Sequence, residues 1–155
     1  MFKDIFICLV GDCHAAKTKR ELTRNGPKPL RKKLQVPSES VLFFGCRHRN
    51  GDFLYENELS KLLSQTPNRL ITAFSRDGQE KVYVQHRIRQ EASLVWSALE
   101  RGGKIYICGD GFHMAADVHN ALVDVVVNKS KGQFATRQAA DEYVKARTSM
   151  DVWST

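Results

Sequence analysis

The stretch Lys104-Ile-Tyr-Ile-Cys108 is a short, β-rich apolar run that lacks polar alternation and is followed by Gly109. Three more runs are β-rich and apolar in the same way, and each ends next to Gly or Ser: Ile5-Phe-Ile-Cys-Leu-Val10, Val41-Leu-Phe-Phe44 and Leu70-Ile-Thr-Ala-Phe74. Continuous apolar strands of this length are typical of a parallel sheet that is covered on both faces. We therefore predict that each run forms a buried strand of one parallel sheet.

Segments of helix length separate these runs. Asp52 is placed to cap a helix with a partial apolar stripe, and further stripes run over 84–99 and 114–126 near the helical period. A fourth helix is predicted over about 136–147, and the chain closes with Met150-Asp-Val-Trp153. Strands that alternate with helices indicate right-handed βαβ units. We predict an α/β fold with a doubly wound, five-stranded parallel sheet, whose ligands bind beyond the carboxyl ends of the strands.

The composition is that of a single globular domain. The chain has 155 residues, of which 42% are apolar and 26% are charged. No apolar run approaches the roughly 18–20 residues that cross a bilayer, and Ile5–Val10 lacks the flanks of a signal peptide. The four cysteines have neither the paired spacing of zinc sites nor a setting typical of disulfide frameworks. We expect a cytoplasmic chain without a membrane segment, from a parent protein that another segment could attach to a membrane.

The positive charge is confined to one segment. The sequence has 24 Lys and Arg against 17 Asp and Glu, a formal charge of +7. Lys17–Lys33 holds eight bases and one acid, which accounts for the whole excess. Such a segment could bind nucleic-acid phosphates, but it has no aromatic residue to stack on bases. We favour a solvated loop and expect no nucleic-acid partner.

Basic and aromatic residues follow the second and third apolar runs. Arg47 comes after the second run, and Ser75 and Arg76 follow the third, with Lys81 and Tyr83 close behind. A guanidinium is a fork of donors that suits phosphate, and a tyrosine ring offers a flat face to a base. These residues could hold an adenosine with an extra phosphate, the feature that distinguishes NADP from NAD. The alternative is that the cations are solvated charges in a turn, and the pattern alone leaves both open.

Five motifs over residues 41–153 have a recognisable order and spacing. They are Phe44-Gly-Cys-Arg47 with Asp52-Phe-Leu-Tyr-Glu-Asn-Glu-Leu59, Ala73-Phe-Ser-Arg76 with Lys81-Val-Tyr-Val-Gln85, Ile105-Tyr-Ile-Cys-Gly-Asp110, Met114-Ala-Ala-Asp-Val118 and Asp151-Val-Trp153. Together they resemble the NADP-binding domain of the diflavin reductases, and most closely that of the NADPH–cytochrome reductase type. The resemblance implies the fold of the C-terminal domain in the ferredoxin–NADP reductase superfamily.

The resemblance also implies an NADP(H) site. The residues that would surround the 2′-phosphate and the adenine are Ser75, Arg76, Lys81, Tyr83 and Gln85. Arg47 would lie near the cofactor's phosphates, and Asp110 and Asp117 would be further cofactor contacts. On this basis the chain is the NADP(H)-binding module of a flavin-dependent oxidoreductase.

A redox role follows from the same resemblance. Cys108 and Asp151 match residues that lie around the nicotinamide C4 and assist hydride transfer, and Trp153 matches an aromatic that covers the flavin ring. From the residues alone, Cys108 is better explained as a small apolar filler and Trp153 as a packing residue. The implied module delivers hydride from NADPH to FAD for a downstream electron acceptor. The FAD would come from another domain, so the isolated chain is not expected to be catalytically complete.

Two features depart from the family pattern. The glycine-rich loop that cradles the pyrophosphate is best matched by residues 25–35, where Asn25 stands in place of a threonine. The flavin-binding domains have no counterpart in the sequence. We divide the single domain into residues 1–37, which hold the first strand and a divergent basic phosphate-loop region, and residues 38–155. The alternative is a divergent stand-alone or regulatory binding protein with impaired cofactor binding.

Overall fold

The computed structural model describes residues 5–10, 40–64, 69–110 and 112–153. Over these residues the chain forms five strands and six helices. They are β1 (Ile5–Val10), β2 (Ser40–Cys46), α1 (Arg49–Asp52), α2 (Glu56–Ser64), β3 (Arg69–Phe74), α3 (Val84–Gln90), α4 (Ala92–Glu100), β4 (Lys104–Asp110), α5 (Phe112–Lys129), α6 (Arg137–Lys145) and β5 (Thr148–Trp153). Each of the four apolar runs forms a strand and the closing segment forms β5, which confirms the α/β class and the five strands.

The five strands form one mixed sheet with the order β3-β2-β1-β4-β5. β2 pairs with β3 in parallel, and β4 pairs with β5 in parallel, but β1 runs antiparallel to both of its neighbours. The prediction of an entirely parallel sheet is therefore wrong for β1. An apolar run indicates that a strand is central and buried, whereas its direction depends on how the chain enters it.

The direction of β1 determines where the next segment starts. Val10, its last residue, pairs with Ser40 and Lys104, the first residues of β2 and β4. The chain therefore leaves β1 and enters β2 at the edge opposite the carboxyl ends of the other four strands. The predicted phosphate-loop region, including Asn25, and the proposed division at residues 37 and 38 lie outside the described residues.

The larger core lies on one face of the sheet. Ile7, Phe43 and Ile107 are register neighbours on adjacent strands, and each is at most 1% exposed. Helix α5 contributes Val118 and Leu122, one turn apart and fully buried, to the same cluster. Burial of these side chains stabilises the fold through the removal of apolar surface from water, and it fixes α5 against the sheet.

The structure corrects two predicted helix boundaries. The apolar stripe over 84–99 belongs to two helices, because Glu91 (φ −94°, ψ 27°) separates α3 from α4. Asp52 does not begin a helix: it ends α1, and its carboxylate accepts the N–H of His48 at 2.9 Å. The fourth predicted helix is confirmed as α6, whose first turn is capped by the hydroxyl of Thr136 at 3.1 Å.

A smaller apolar cluster lies on the opposite face. Phe44 stacks on Phe53 with ring centroids 4.5 Å apart, and Phe53 contacts Phe74 at 5.9 Å. Cys46 is buried in the same cluster. By contrast, Tyr106 on β4, which faces the same side, is 48% exposed. The second layer therefore covers β2 and β3 more completely than it covers β4.

Asp124 in α5 joins α3 to α6. Its carboxylate accepts hydrogen bonds from Arg89 at 2.9 Å and from Arg137 at 2.7 Å. Burial opposes the ionised form and raises the pKa, but the bonds from Arg137 and Arg89 outweigh it, so the pKa of Asp124 is lowered. A carboxyl group with a lowered folded-state pKa stabilises the fold above its unfolded pKa, and this contribution is lost as pH falls through the folded pKa.

We expect Asp124→Asn to lower the free energy of unfolding by about 1 kcal/mol near neutral pH. The difference from the wild type should shrink as the pH falls below about 4, because the wild-type carboxylate then also loses its charge. Urea denaturation at several pH values measures this. Glu58→Gln, which alters an exposed acid on α2, is the control. A deficit in Asp124→Asn that does not change with pH would show that carboxylate charge is not its origin.

Candidate functional site

The loops that follow β2 and β3 run side by side at the carboxyl edge of the sheet. The N–H of Ser75 donates to the carbonyl of Cys46 at 3.0 Å, and the N–H of Arg76 donates to the carbonyl of Arg47 at 2.9 Å. The parallel pairing of β2 with β3 therefore continues beyond the two strands. It places Arg47 beside Ser75 and Arg76, three of the residues predicted to bind the cofactor.

Three cations at this edge have no acidic partner among the residues that the structure describes. They are Arg47, Arg76 and Lys81, which take no part in the ion pairs of that part of the chain. Arg76 and Lys81 are exposed, and Ser75 is half-buried. Because guanidinium and ammonium groups bind multi-oxygen anions, this edge is suited to a phosphate group.

Asp77 follows Arg76, and its carboxylate bonds to the neighbouring loop. Nδ1 of His48 donates to Oδ1 at 3.1 Å, and the backbone N–H of Arg49 donates to Oδ2 at 3.0 Å. Neither Asp77 nor His48 is among the residues predicted from the sequence to bind the cofactor. No pattern in the sequence could have revealed this contact, because it joins residues that are 29 positions apart.

Tyr83 immediately precedes α3 and is 38% exposed. Its N–H donates to Nδ1 of His86 at 3.3 Å, and the two rings meet edge to face with centroids 5.6 Å apart. The next residue, Val84, is buried against Gly45 at the end of β2. The start of α3 is thus held at the site edge with the Tyr83 ring partly open to solvent. His86 is not among the residues predicted from the sequence to line the site.

Gln85 and Asp117, two more predicted cofactor residues, contact each other. Nε2 of Gln85 in α3 donates to Oδ2 of Asp117 in α5 at 3.4 Å. The other amide atom, Oε1 of Gln85, is buried and has no hydrogen-bond partner. A buried acceptor without a donor costs free energy, so a ligand that donates a hydrogen bond here would bind favourably.

The ends of β4 and β5 form the other half of the edge. Cys108 and Asp151 are register partners in these parallel strands, so their side chains project from the same face of the sheet. Cys108 is half-buried with a free thiol, and Asp151 is exposed. Asp110 and Trp153 are register partners two residues further along, and their backbones lie at the end of the two strands. The side chains of Asp110 and Trp153 lie outside the described residues.

β1 separates the two halves of this edge. Because adjacent strands lie about 4.8 Å apart, the ends of β2 and β4 are roughly 10 Å from each other. The candidate site is therefore elongated, with the three cations at one end and the Cys108–Asp151 pair at the other.

The described residues also bear on metal binding, membrane insertion and thiol chemistry. In the described part of the chain, no group of three or more His, Cys, Asp or Glu side chains is arranged to hold a metal ion. None of the helices there is both long enough and apolar enough to cross a membrane. The thiols of Cys8 and Cys108 are free, whereas Sγ of Cys46 donates to the carbonyl of His48 at 3.5 Å. Burial raises the pKa of the Cys8 thiol.

Residues 26–120, more than half of the chain, match the family model described as the oxidoreductase NAD-binding domain. The chain belongs to this oxidoreductase NAD-binding domain family. The match covers the loops after β2, β3 and β4, which carry most of the candidate site. It begins after β1, so the antiparallel strand of this NAD-binding domain lies outside the matched residues.

The NAD-binding domain is similar to parts of longer reductases. It is 43% identical over 131 residues to the NADPH–cytochrome P450 reductase of Drosophila melanogaster, which covers 81% of this chain and 19% of that protein. The human NADPH–cytochrome P450 reductase is 39% identical over 131 residues, with the same coverage of 81% and 19%. The sulfite reductase (NADPH) flavoprotein alpha-component of Aliivibrio fischeri is 53% identical over 104 residues, covering 66% of this chain and 17% of that protein. The chain spans about a fifth of the length of these relatives, and the resemblance to the diflavin reductases is confirmed.

Proposed function

We propose that this NAD-binding domain binds NADP(H) at the carboxyl edge of its sheet and presents the nicotinamide to an FAD held by another domain. The observation that carries the proposal is a set of three cations on the loops after β2 and β3 that have no acidic partner among the described residues: Arg47, Arg76 and Lys81. A phosphate on the adenosine ribose would supply the anion that this end of the site needs. The names of the relatives, which include NADPH, support the phosphorylated form of the cofactor.

The adenosine end would lie over the loops after β2 and β3. Ser75, Arg76 and Lys81 would bind the 2′-phosphate, and the partly exposed Tyr83 ring would stack on the adenine. Arg47 would lie near the cofactor's other phosphates. The orphaned acceptor on Gln85 fits a donor group of the bound nucleotide.

Two further acidic residues would contact the cofactor between its ends. The hydrogen bond from Gln85 to Asp117 brings the Asp117 carboxylate beside the start of α3, where it would contact the cofactor. Asp110 is assigned by the family motif at the end of β4. Asn25 stays a predicted pyrophosphate ligand, on the motif match alone.

The nicotinamide end would lie over β4 and β5. When bound, NADPH supplies the hydride, and FAD is the group that accepts it. Cys108 and Asp151 would flank the nicotinamide ring and hold it in place while water is excluded. Trp153 would cover the flavin ring and move before the nicotinamide stacks there, a gating role.

Mixing the chain with the FAD-containing part of a related NADPH–cytochrome P450 reductase tests this function. We expect NADPH to bleach the flavin absorbance in the mixture much faster than in either fragment alone, and NADH to be far less effective. The reductase activity, the FAD partner and the downstream electron acceptor belong to this proposal, as does the cytoplasmic location. Flavin that stays oxidised in the mixture would contradict it.

A second candidate is a regulatory binding protein that has lost competent cofactor binding. The reversed direction of β1 favours it, because in doubly wound domains the loop after the central strand carries the pyrophosphate. This candidate predicts that NADPH binds weakly or not at all. A flavin reduced in the mixing experiment would remove it.

A further inference from the structure

The His48–Asp77–Arg49 contact joins the two loops that carry the proposed phosphate-binding residues. We call it the loop clasp, and it consists of the His48 ring, the backbone N–H of Arg49 and the carboxylate of Asp77. Arg47 immediately precedes one side of the clasp, and Arg76 immediately precedes the other.

An acid at this place needs an explanation, because it follows the arginine that would bind a phosphate. A free carboxylate here would repel the phosphate, and in NAD-specific sites an acid near the ribose accepts its 2′-hydroxyl. In this chain each Asp77 oxygen already accepts one hydrogen bond from the neighbouring loop, at 3.1 Å and 3.0 Å. Asp77 is thus engaged in holding the loops together rather than presented to the nucleotide.

We propose that Asp77 is a positioning residue that sets specificity for the 2′-phosphate, by tying the loop after β2 to the loop after β3 so that Arg47 and Arg76 stay side by side. This inference rests on the proposed function. The clasp adds two side-chain hydrogen bonds to the two backbone bonds that join Ser75 to Cys46 and Arg76 to Arg47. Without Asp77, the two loops would keep the backbone bonds and lose both of these side-chain hydrogen bonds.

The loop itself is anchored on the β2 side. Asp52 accepts the N–H of His48 at 2.9 Å, and Arg49 forms an ion pair with Glu56 of α2. The carboxylate of Asp77 therefore docks onto a segment that other contacts already fix. Such preorganisation lowers the entropy cost of ordering the cations when a ligand binds.

Titration of the full chain with 2′,5′-ADP and with 5′-AMP tests the role of Asp77. Asp77→Ala should weaken 2′,5′-ADP binding by roughly tenfold, because two hydrogen bonds that order the cations are lost, and change 5′-AMP binding by less than about twofold. Asp77→Asn should stay close to the wild type. Its amide can accept from Arg49 and donate to the other tautomer of the His48 ring. Glu80→Ala removes an exposed acid from the same loop and is the control for charge alone.

The outcomes separate this inference from the function on which it rests. If the wild-type chain does not prefer 2′,5′-ADP, the proposed function fails and the inference fails with it. If the wild type prefers 2′,5′-ADP to 5′-AMP and Asp77→Ala shows the same preference, only the inference is overturned. An equal loss for both ligands would indicate a merely structural role, and an equal defect in Asp77→Asn would indicate charge, so either result also overturns it.

Discussion

Replacing Arg76 with alanine is expected to weaken NADP⁺ binding by about 1–3 kcal/mol, the cost of losing a charged hydrogen bond to phosphate. NAD⁺ binding should change little, because NAD⁺ has no 2′-phosphate for the guanidinium to contact. The expectation rests on the position of Arg76 beside Arg47 and Ser75, and on the lack of an acidic partner for it among the described residues. Isothermal titration calorimetry with both dinucleotides measures the two affinities.

Arg69→Ala is the matched control for the Arg76 variant. Arg69 is the exposed first residue of β3, so its replacement removes the same charge at the end of the strand opposite to Arg76. It should leave both affinities unchanged apart from a small long-range effect that salt screens. If both variants weaken NADP⁺ equally, net charge rather than a local contact explains the affinity, and the assignment of Arg76 is wrong.

Replacing Gly45 with alanine is expected to destabilise the fold by about 1–3 kcal/mol, because the new methyl group overpacks the core. A Cβ at this position would lie 2.5 Å from Cγ2 of Val84 and would force α3 away from β2. Val84 cannot yield easily, since a β-branched side chain in a helix has one strongly preferred rotamer. Thermal or urea denaturation measures the loss, and nucleotide binding should weaken too because Tyr83 moves with the start of α3.

Two further variants identify the clash as the cause. In Gly45→Ala combined with Val84→Ala the offending methyl group is absent, so the double variant should lose less stability than the sum of the single losses. Gly51→Ala adds a methyl group in α1 where nothing lies within 4 Å, and it should be neutral or slightly stabilising. Strict additivity of Gly45→Ala and Val84→Ala would show that their contact does not limit the packing.

The strands were predictable because their apolar runs are strong local signals. All four runs from Ile5–Val10 to 104–108 form strands, and the helical periodicity over 114–126 marks α5 correctly. The direction of β1 was not predictable. The direction depends on the end of the sheet at which the chain enters β1. Both directions place β1 between β2 and β4 and bury the same side chains. The break at Glu91 also escaped detection, since the apolar spacing of α3 and α4 continues across it.

The candidate site was predictable to the extent that it consists of residues at strand ends. Arg47, Ser75 and Arg76 were found because each closely follows an apolar run, and the structure places them together. The contacts that support them were missed. Asp77 and His48 meet only through the pairing of two distant loops, and a polar residue in a turn carries no signal of its partner. The charge excess of Lys17–Lys33 falls outside the described residues. The cations of the candidate site, which have no acidic partner among the described residues, lie elsewhere in the sequence.

The most direct test of the account is an equilibrium titration of the wild-type chain with 2′,5′-ADP and 5′-AMP at one ionic strength. Arg47 and Arg76, which lie close to Ser75 and have no acidic partner among the described residues, predict that 2′,5′-ADP binds at least about tenfold more tightly, since the two ligands differ only by the 2′-phosphate. Equal affinity for the two ligands, or no binding of either, would contradict the central claim that this edge of the sheet is an NADP(H) site.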